Sequence, residues 1–314
     1  MVELYIHVGE AKHFLAWELP EFRKYFNIVE KPDENALLLA FGPDVLEEAA
    51  QLPAKARFAV LFPGFNCNPL HNIELRNKQI KIIRQFYTRI FINRGPLEKA
   101  YADVDKITLY PFSIDIKKVS FKKYRHQVNS MIHVSSNSPQ KDWQRSEDVM
   151  RQVGLPYEVF PPRDADKMQI YLEKENKHTY FDRIFSRKKK TLPYGYLSHA
   201  ATISKYQEYD AFVHIASDIH HELYLDGMYT ASLIEAGLTG AIIFWHDTYD
   251  VGGYLETVFE VSSDPRVAAQ EINSILRNLD VKEWSKRTRA EMLKTFNPQI
   301  SVRIRAEEML RLIE

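Results

Sequence analysis

The fold class follows from residues 211–245, which read AFVHIASDIHHELYLDGMYTASLIEAGLTGAIIFW. The apolar run at residues 211–215 predicts a buried strand, and a Gly-containing turn at residues 226–230 leads to a helical pattern at residues 231–238. Another apolar run closes the stretch and predicts the next strand. A strand, a turn and a helix in this order bring backbone N–H groups and a helix N-terminus to one point, which suits them to bind a diphosphate.

The same alternation of strands and helices extends in both directions from this stretch. Strands are predicted at residues 2–8, 36–41, 57–62, 89–93, 107–110, 131–134 and 157–160. Helices are predicted at residues 12–25, 44–51, 73–87, 97–102, 146–153, 203–209, 267–279, 281–294 and 302–313. Strands separated by helices predict parallel, doubly wound α/β sheets, whose ligands bind beyond the carboxyl ends of the strands.

The length and one lapse in the pattern predict two domains. A chain of 314 residues is long enough for two α/β cores. The alternation stops in the polar, lysine-rich stretch at residues 111–127, so we expect the linker there. The first domain is therefore predicted at residues 1–112 and the second at residues 113–297.

Composition narrows the classes of function. Lys plus Arg and Asp plus Glu number 42 each, so no global positive field attracts nucleic acid. The basic stretches at residues 117–125 and 187–190 are interpreted as solvated loops. Cys67 is the single cysteine, which suits a reducing compartment, and no signal-peptide pattern or apolar run of about 18 residues occurs. We therefore expect a cytoplasmic protein with no integral membrane segment.

Several segments resemble, in the same order, the retaining glycosyltransferases of the GT-B fold, in particular family 4, also called group 1. Residues 195–214 are similar to the family's G-x-(L/V)-(S/P)…Y…A-D-V-x-V-x-P-S run, and residues 226–240 to its E/D-G-x…L-E-A-M-A-x-G segment. Residues 90–93 and 110–115 are similar to its I-x-x-N-S…P-x-G-(V/I)-D stretch. The resemblance covers most of residues 90–296. Residues 1–89 match only in their alternation of predicted strands and helices.

The resemblance implies two Rossmann-like, doubly wound domains with an interdomain cleft and a C-terminal helix, within residues 298–314, that crosses back to the first domain. It implies transfer of a sugar from a nucleotide-sugar donor, of the UDP or GDP type, to an acceptor hydroxyl with retention of the anomeric configuration. No cofactor or metal ion is expected. A glycan, a lipid-linked sugar or a small molecule is the expected acceptor, and a modified nucleic acid is less favoured.

The resemblance assigns donor binding mainly to the second domain. Glu235 matches the family's acidic residue that accepts the ribose hydroxyls, and Lys141 matches its diphosphate-binding lysine. A solvent-facing helix glutamate and an ordinary exposed lysine are the alternatives. Thr230 is expected to offer its backbone N–H to the diphosphate, to cap the helix, or both. The remaining expected donor-binding residues are Gly9, Ser136, Leu197, Gly227, Met228, Tyr229 and Ala231.

Two residues are expected at the reaction centre. Asp226 is expected to contact the sugar ring or to lie near the anomeric carbon, with Glu222 as a second candidate and a simple Asp-Gly turn as the alternative. His71 is expected to orient a donor hydroxyl or to assist the acceptor proton, with His7 as the other candidate and a structural role as the alternative for each. The remaining histidines show no spacing typical of a metal site.

The sequence also departs from the family's pattern. The arginine that accompanies the family's lysine is missing, since Ser136 stands near its place, and Arg145 or Arg163 is a candidate replacement. Asp142 stands where the family has glycine, and Asp226 precedes Glu235 by one residue more than is usual. These departures leave a second hypothesis open, in which a catalytically inactive GT-B-like protein binds a nucleotide or a glycan and regulates or scaffolds.

Overall fold

The chain forms two α/β units, each built on one parallel sheet, in a computed structural model. The structure describes residues 1–64, 68–135, 141–163, 199–216 and 225–314. Elements below are numbered in chain order within these ranges.

The first sheet has six parallel strands in the order β2-β1-β3-β4-β5-β6. The strands are β1 (Val2–Val8), β2 (Phe26–Val29), β3 (Leu37–Phe41), β4 (Ala56–Leu61), β5 (Arg89–Asn93) and β6 (Ile107–Tyr110). The helices are α1 (Lys12–Phe22), α2 (Leu46–Ala49), α3 (Ile73–Phe86) and α4 (Pro96–Ala100). Along β3, alternate residues enter two separate apolar clusters, so both faces of the sheet are covered, and this explains the unbroken apolar run Leu37–Phe41.

The second sheet has five parallel strands in the order β11-β10-β9-β7-β8. The strands are β7 (Met131–Val134), β8 (Tyr157–Phe160), β9 (Ala211–His214), β10 (Ile242–Trp245) and β11 (Val258–Glu260). The helices are α5 (Trp143–Val153), α6 (His199–Glu208), α7 (Ala231–Leu238), α8 (Pro265–Asn278) and α9 (Val281–Thr295). Both sheets therefore start from a strand that is flanked by the second and the third strand of its unit, which is the doubly wound order.

Each doubly wound sheet has one switch point, where the connections leave in opposite directions and a crevice opens. In the first sheet the switch point lies between the carboxyl ends of β1 and β3, and in the second between those of β7 and β9. These two crevices are where the topology favours ligand binding.

The last helix, α10 (Pro298–Arg311), returns to the first unit. Its buried Val302, Ala306 and Met309 join the apolar cluster of β1, β3 and α1. Arg305 is fully buried, and its Nη2 lies 2.6 Å from Oε1 of Glu18 in α1. A charged pair inside an apolar cluster fixes how α10 crosses α1, because neither charge can be left without its partner.

The segment between the two sheets, residues 111–130, contains one 3₁₀ turn (Ile116–Lys118) and is otherwise irregular. The buried guanidinium of Arg125 donates hydrogen bonds to the carbonyl oxygens of Tyr206, Tyr209 and Thr239. The linker is thus anchored to the second unit through one arginine.

The two units are in contact through Leu225, which precedes α7, and through Tyr249, which follows β10. The backbone N–H of Leu225 donates to the carbonyl of Gly64 at 3.3 Å, and Leu225 and Tyr249 belong to the apolar cluster of the first unit. Nζ of Lys99 donates to the carbonyl of Tyr249 at 3.2 Å.

Candidate functional site

The switch point of the second sheet brings Lys141 and Asp226 together. Lys141 lies between β7 and α5, and Asp226 lies between β9 and α7. Nζ of Lys141 is 2.6 Å from both carboxylate oxygens of Asp226, and the two side chains are only 13% and 12% exposed. The expected diphosphate lysine and the expected reaction-centre carboxylate therefore form one ion pair at the place where the topology favours a ligand.

Helix α7 begins five residues after Asp226. The hydroxyl of Thr230 accepts the backbone N–H of Leu233 at 3.3 Å, so Thr230 is the N-cap of the helix. Ala231 is the first helical residue and is exposed, which leaves the start of the helix open to a ligand. The positive end of the helix dipole and the first N–H groups at this point favour an anion.

Glu235 lies further along α7 and is held by a histidine that the sequence pattern did not single out. Oε1 of Glu235 is 2.6 Å from Nε2 of His199, at the start of α6. The Glu235 side chain is 13% exposed, whereas that of His199 is 45% exposed. The hydrogen bond with Glu235 raises the pKa of His199, against the opposing effect of partial burial. Glu235 is therefore a largely buried carboxylate and not a solvent-facing helix residue.

A pair of stacked histidines lies beneath the switch point. The rings of His133 on β7 and His214 on β9 are 5.4 Å apart and nearly parallel. Burial, helped by the charge of Lys141, lowers the pKa of His214 to about 3, and burial and His214 hold the pKa of His133 well below its ordinary value. Both rings are therefore neutral at physiological pH and add no charge to the site.

The two candidate replacements for the missing arginine differ in position. Arg163, which follows β8, donates to the carbonyl and the hydroxyl of Ser135 at 2.8 and 3.0 Å, at the end of β7. Burial lowers its pKa to about 10, so it stays charged at neutral pH. Arg145 donates to Asp142 at 2.9 Å and to the carbonyl of Ser263 at 3.1 Å. Of the two, Arg163 reaches the residue that directly follows β7 at the switch point.

Of the expected donor-binding residues 227–229, Gly227 and Met228 lie against the first unit, whereas Tyr229 packs within the second. Met228 is buried, and a Cβ on Gly95 would lie 2.7 Å from its Cβ. Tyr229 is also buried, its hydroxyl accepts the N–H groups of Tyr254 and Leu255, and burial raises its pKa to about 12. The side chains of Met228 and Tyr229 are thus engaged in packing. These residues are therefore expected to contact a ligand through their backbone groups.

At the switch point of the first sheet, a carboxylate occupies the expected glycine loop. Oδ2 of Asp44 accepts the N–H of Glu10 at 2.9 Å, and a Cβ on Gly9 would lie 2.0 Å from that oxygen. A Cβ on Gly42, whose φ is +124°, would lie 2.4 Å from the other oxygen. Gly9 therefore allows close approach, as expected of a glycine in this loop, but in this structure the group that approaches is Asp44.

The two histidine candidates of the first unit lie in different surroundings. His71 is exposed just before α3, and its backbone N–H donates to Asn68 at 3.3 Å. Its segment follows Gly64, which contacts Leu225 of the second unit. His7 is largely buried on β1, with Nε2 3.3 Å from Glu48.

Some expected residues lie outside the described residues, namely Ser136, Leu197 and Glu222. Within the described ranges, no group of three or more His, Cys, Asp and Glu side chains is arranged to hold a metal ion. None of the described helices is long and apolar enough to span a bilayer.

Sequence reasoning proposed Lys141, Asp226 and Glu235 for the site, but it did not single out His199 or Asp44. His199 carries no local signal, because its partner Glu235 is 36 positions away in the sequence. Asp44 follows the strand end Phe41-Gly42 by two residues, and this was a usable signal for a carboxylate at the switch point.

No protein-family model matches the chain, and no curated protein matches it significantly. Solved structures do match. HepE of Anabaena, solved with UDP and glucose, superposes with a TM-score of 0.58 at 12% identity over 99% of each chain. A glycosyltransferase of Rickettsia africae ESF-5 gives 0.59 at 10% identity over 100% of this chain and 98% of that one. TarM of S. aureus, solved as a mutant with fondaparinux, α-GlcNAc-glycerol and UDP, gives 0.58 at 13% identity over 90% of this chain and 56% of TarM.

Likeness at such low identity establishes the fold and leaves function to be argued from the site. The prediction of a GT-B fold, with two Rossmann-like parallel-sheet units and a returning C-terminal helix, is confirmed. The narrower assignment to family 4 stays a prediction.

Proposed function

We propose that this protein transfers a sugar from a nucleotide-sugar donor to an acceptor hydroxyl. The observation that carries the proposal is the convergence of Lys141, Asp226 and the start of α7 at the switch point of the second sheet, against the first unit. Glycosyltransferases with the same fold supply further support, since HepE was solved with UDP and with UDP-glucose.

In the proposed complex the donor lies on the second unit. Glu235 accepts the ribose hydroxyls through its carboxylate, for which its partly buried position on α7 is suited. Lys141 and the N–H groups at Thr230 and Ala231 neutralise the diphosphate, so the leaving group needs no metal ion. Gly227, Met228 and Tyr229 contribute backbone contacts, and Gly9, Ser136 and Leu197 complete the proposed donor-binding set.

The first unit is proposed to bind the acceptor. His71 is exposed seven residues after Gly64, which contacts the second unit, and an imidazole is able to accept a proton from an attacking hydroxyl. Asp226 is proposed to face the sugar ring near the anomeric carbon, with retention of configuration. A glycan, a lipid-linked sugar or a small molecule is the proposed class of acceptor.

The test begins with binding. Purified protein is heated with UDP, GDP, ADP, CMP or dTDP, with and without magnesium, and the unfolding temperature is recorded. A nucleotide at about 100 times its Kd stabilises the native state by about 2.7 kcal/mol, so the matching base raises the unfolding temperature by several degrees. Release of the nucleotide from the matching sugar donors is then measured.

Two variants test whether the nucleotide-dependent shift comes from the proposed site. Glu235→Ala is expected to abolish the nucleotide-dependent shift, whereas Glu307→Ala, which removes an exposed carboxylate on α10, is expected to leave it unchanged. Specific stabilisation together with nucleotide release supports the transferase. Stabilisation without release from any donor favours the non-catalytic binding protein, and the absence of any shift with well-folded protein contradicts the proposal.

A further inference from the structure

The ion pair at the second switch point differs from an ordinary surface pair. Lys141 contacts both oxygens of one carboxylate at 2.6 Å, and both side chains are nearly nine-tenths buried. Surface pairs contribute little because water competes for both charges, and this competition is reduced here. The pair also spans the crevice between β7 and β9, where the topology favours a ligand.

We propose that Asp226 is a built-in counterion that competes with the diphosphate of the nucleotide for Lys141. This inference rests on the proposed function and deepens it. Asp226 acts here through Lys141, so in this respect it is a positioning residue whose carboxylate sets how tightly a nucleoside diphosphate is held.

The competition follows from the chemistry of the two anions. A carboxylate and a phosphate both present oxygen atoms to the same three donors of an ammonium group. Without a ligand, Asp226 keeps the largely buried Lys141 neutralised, which avoids the cost of an uncompensated charge. When a diphosphate enters, its oxygens replace those of Asp226 on Lys141, and the lost ion pair is subtracted from the binding free energy.

Among the described residues, the histidines and arginines around the pair are neutral or engaged elsewhere. The buried histidines His133 and His214 are neutral, so neither offers a charge to the phosphate or to Asp226. Arg163 is directed to Ser135, and Arg145 is directed to Asp142. The pairing of Lys141 with Asp226 is therefore the contact that diphosphate binding changes most directly.

The segment that carries Asp226 is fixed by the first unit. Leu225 is hydrogen-bonded to Gly64, and Met228 packs against Gly95. The competing carboxylate is thus held over Lys141 when the two units are in contact. After sugar transfer, Asp226 regains Lys141 as the nucleoside diphosphate leaves, so the pair favours product release.

The test compares ligands with and without phosphates. Binding of UDP and of uridine is measured by isothermal titration calorimetry for the wild type and for Asp226→Asn, which keeps an oxygen near Lys141 but removes the charge. The variant is expected to bind UDP about tenfold more tightly, which corresponds to about 1.4 kcal/mol. Uridine affinity is expected to be unchanged, and a merely structural change would not separate the two ligands in this way.

Asp142→Asn is the matched control. It removes one negative charge next to Lys141, but Asp142 pairs with Arg145, and asparagine tolerates its left-handed backbone, with φ of 41°. The UDP affinity of Asp142→Asn is expected to stay within about twofold of the wild type, because partly exposed ion pairs contribute little free energy. The effect of Asp226→Asn is also measured in a Lys141→Met background. There, the double variant Lys141→Met/Asp226→Asn is expected to bind UDP no more tightly than Lys141→Met alone.

The outcomes separate this inference from the proposed function. If the wild type binds UDP and Asp226→Asn binds it equally or more weakly with uridine unchanged, the inference is wrong and the proposed function stands. An equal gain in Asp142→Asn also overturns it, because general charge would then explain the effect. If Asp226→Asn does not fold, Asp226→Ser is measured against the same criteria. If the wild type binds none of the nucleotides, both proposals fail together.

Discussion

At the scale of single residues, the contact between Glu235 and His199 gives a measurable titration. Glu235→Gln replaces the carboxylate whose hydrogen bond and charge raise the pKa of His199, so that pKa is expected to fall from its raised value toward the ordinary value of 6.5. The measurement is an NMR titration of the His199 imidazole. Glu307→Gln, distant on α10, is expected to leave that titration unchanged, and an unaltered His199 pKa in Glu235→Gln would contradict the contact.

The same contact determines whether the stability of the folded protein rises or falls with pH. Because the folded-state pKa of His199 is raised, its contribution is fully present below about pH 6.5 and is lost as the pH rises through the raised value. His199 is nearly half exposed, so the contribution is screened and amounts to less than about 1 kcal/mol. The pair therefore serves mainly to orient the Glu235 carboxylate.

Residue types with a local motif were predictable, and partners across the fold were not. Glu235 and Lys141 were proposed because each stands where the family that the sequence resembles places its acidic residue and its lysine. Their partners depend on topology, since Lys141 and Asp226 are 85 positions apart in the sequence and meet only because β7 and β9 are neighbours in the sheet. Pairing of this kind needs the strand order, which hydrophobic periodicity does not contain.

At the scale of elements, every central strand was predicted, but one edge strand of each sheet was missed, whereas the strands at the opposite edges, β6 and β8, were predicted. The sequence pattern does not mark β2 and β11, which are four and three residues long and lie at the sheet edges. Both are short, and Asn27 interrupts the apolar residues of β2, so neither strand has an apolar run long enough to be distinguished.

The start of α10 was also misplaced. The apolar pattern predicted a helix at residues 302–313, but α10 begins at Pro298. The Asn297 side chain caps the helix by accepting the N–H of Gln299 at 2.9 Å, and proline suits the first helical position because no hydrogen bond is lost there. Apolar periodicity marks only the buried turns of a helix, so it begins later than the helix does.

The crossing of α10 over α1 depends on the buried pair of Glu18 and Arg305. Glu18→Ala is expected to destabilise the protein by about 3–5 kcal/mol, because Arg305 is left as an uncompensated charge in an apolar cluster. Urea unfolding measures the change. The double variant Glu18→Leu/Arg305→Met removes both charges and is expected to recover most of the stability. If the single and double variants lose the same amount, the pair is not the source of the effect.

At the scale of the whole molecule, the contact between the two units helps to set the geometry of the candidate site. The segment that positions Asp226 over Lys141 is also the segment that contacts Gly64 and Gly95 of the first unit. A change in the distance between the units is therefore transmitted to the proposed diphosphate site. The sequence predicted two units and a cleft. The contact between the units depends on how their folded surfaces fit together, which local sequence patterns do not predict.

Gly95 tests this connection, because its backbone and its surroundings both require glycine. Its φ is +105°, and an added Cβ would lie 2.7 Å from Cβ of Met228, which is too close to the main chain for a rotamer change to relieve. Gly95→Ala is therefore expected to push the units apart, with a larger radius of gyration in small-angle X-ray scattering and faster hydrogen exchange at the Leu225 amide. Gly154→Ala is the matched control, since its φ is +84° but nothing lies within 4 Å of its Cβ position. Both variants lose on the order of 1 kcal/mol or more from backbone strain, and only Gly95→Ala is expected to change the scattering. Identical scattering from the two variants would mean that the contact between Gly95 and Met228 does not hold the units together.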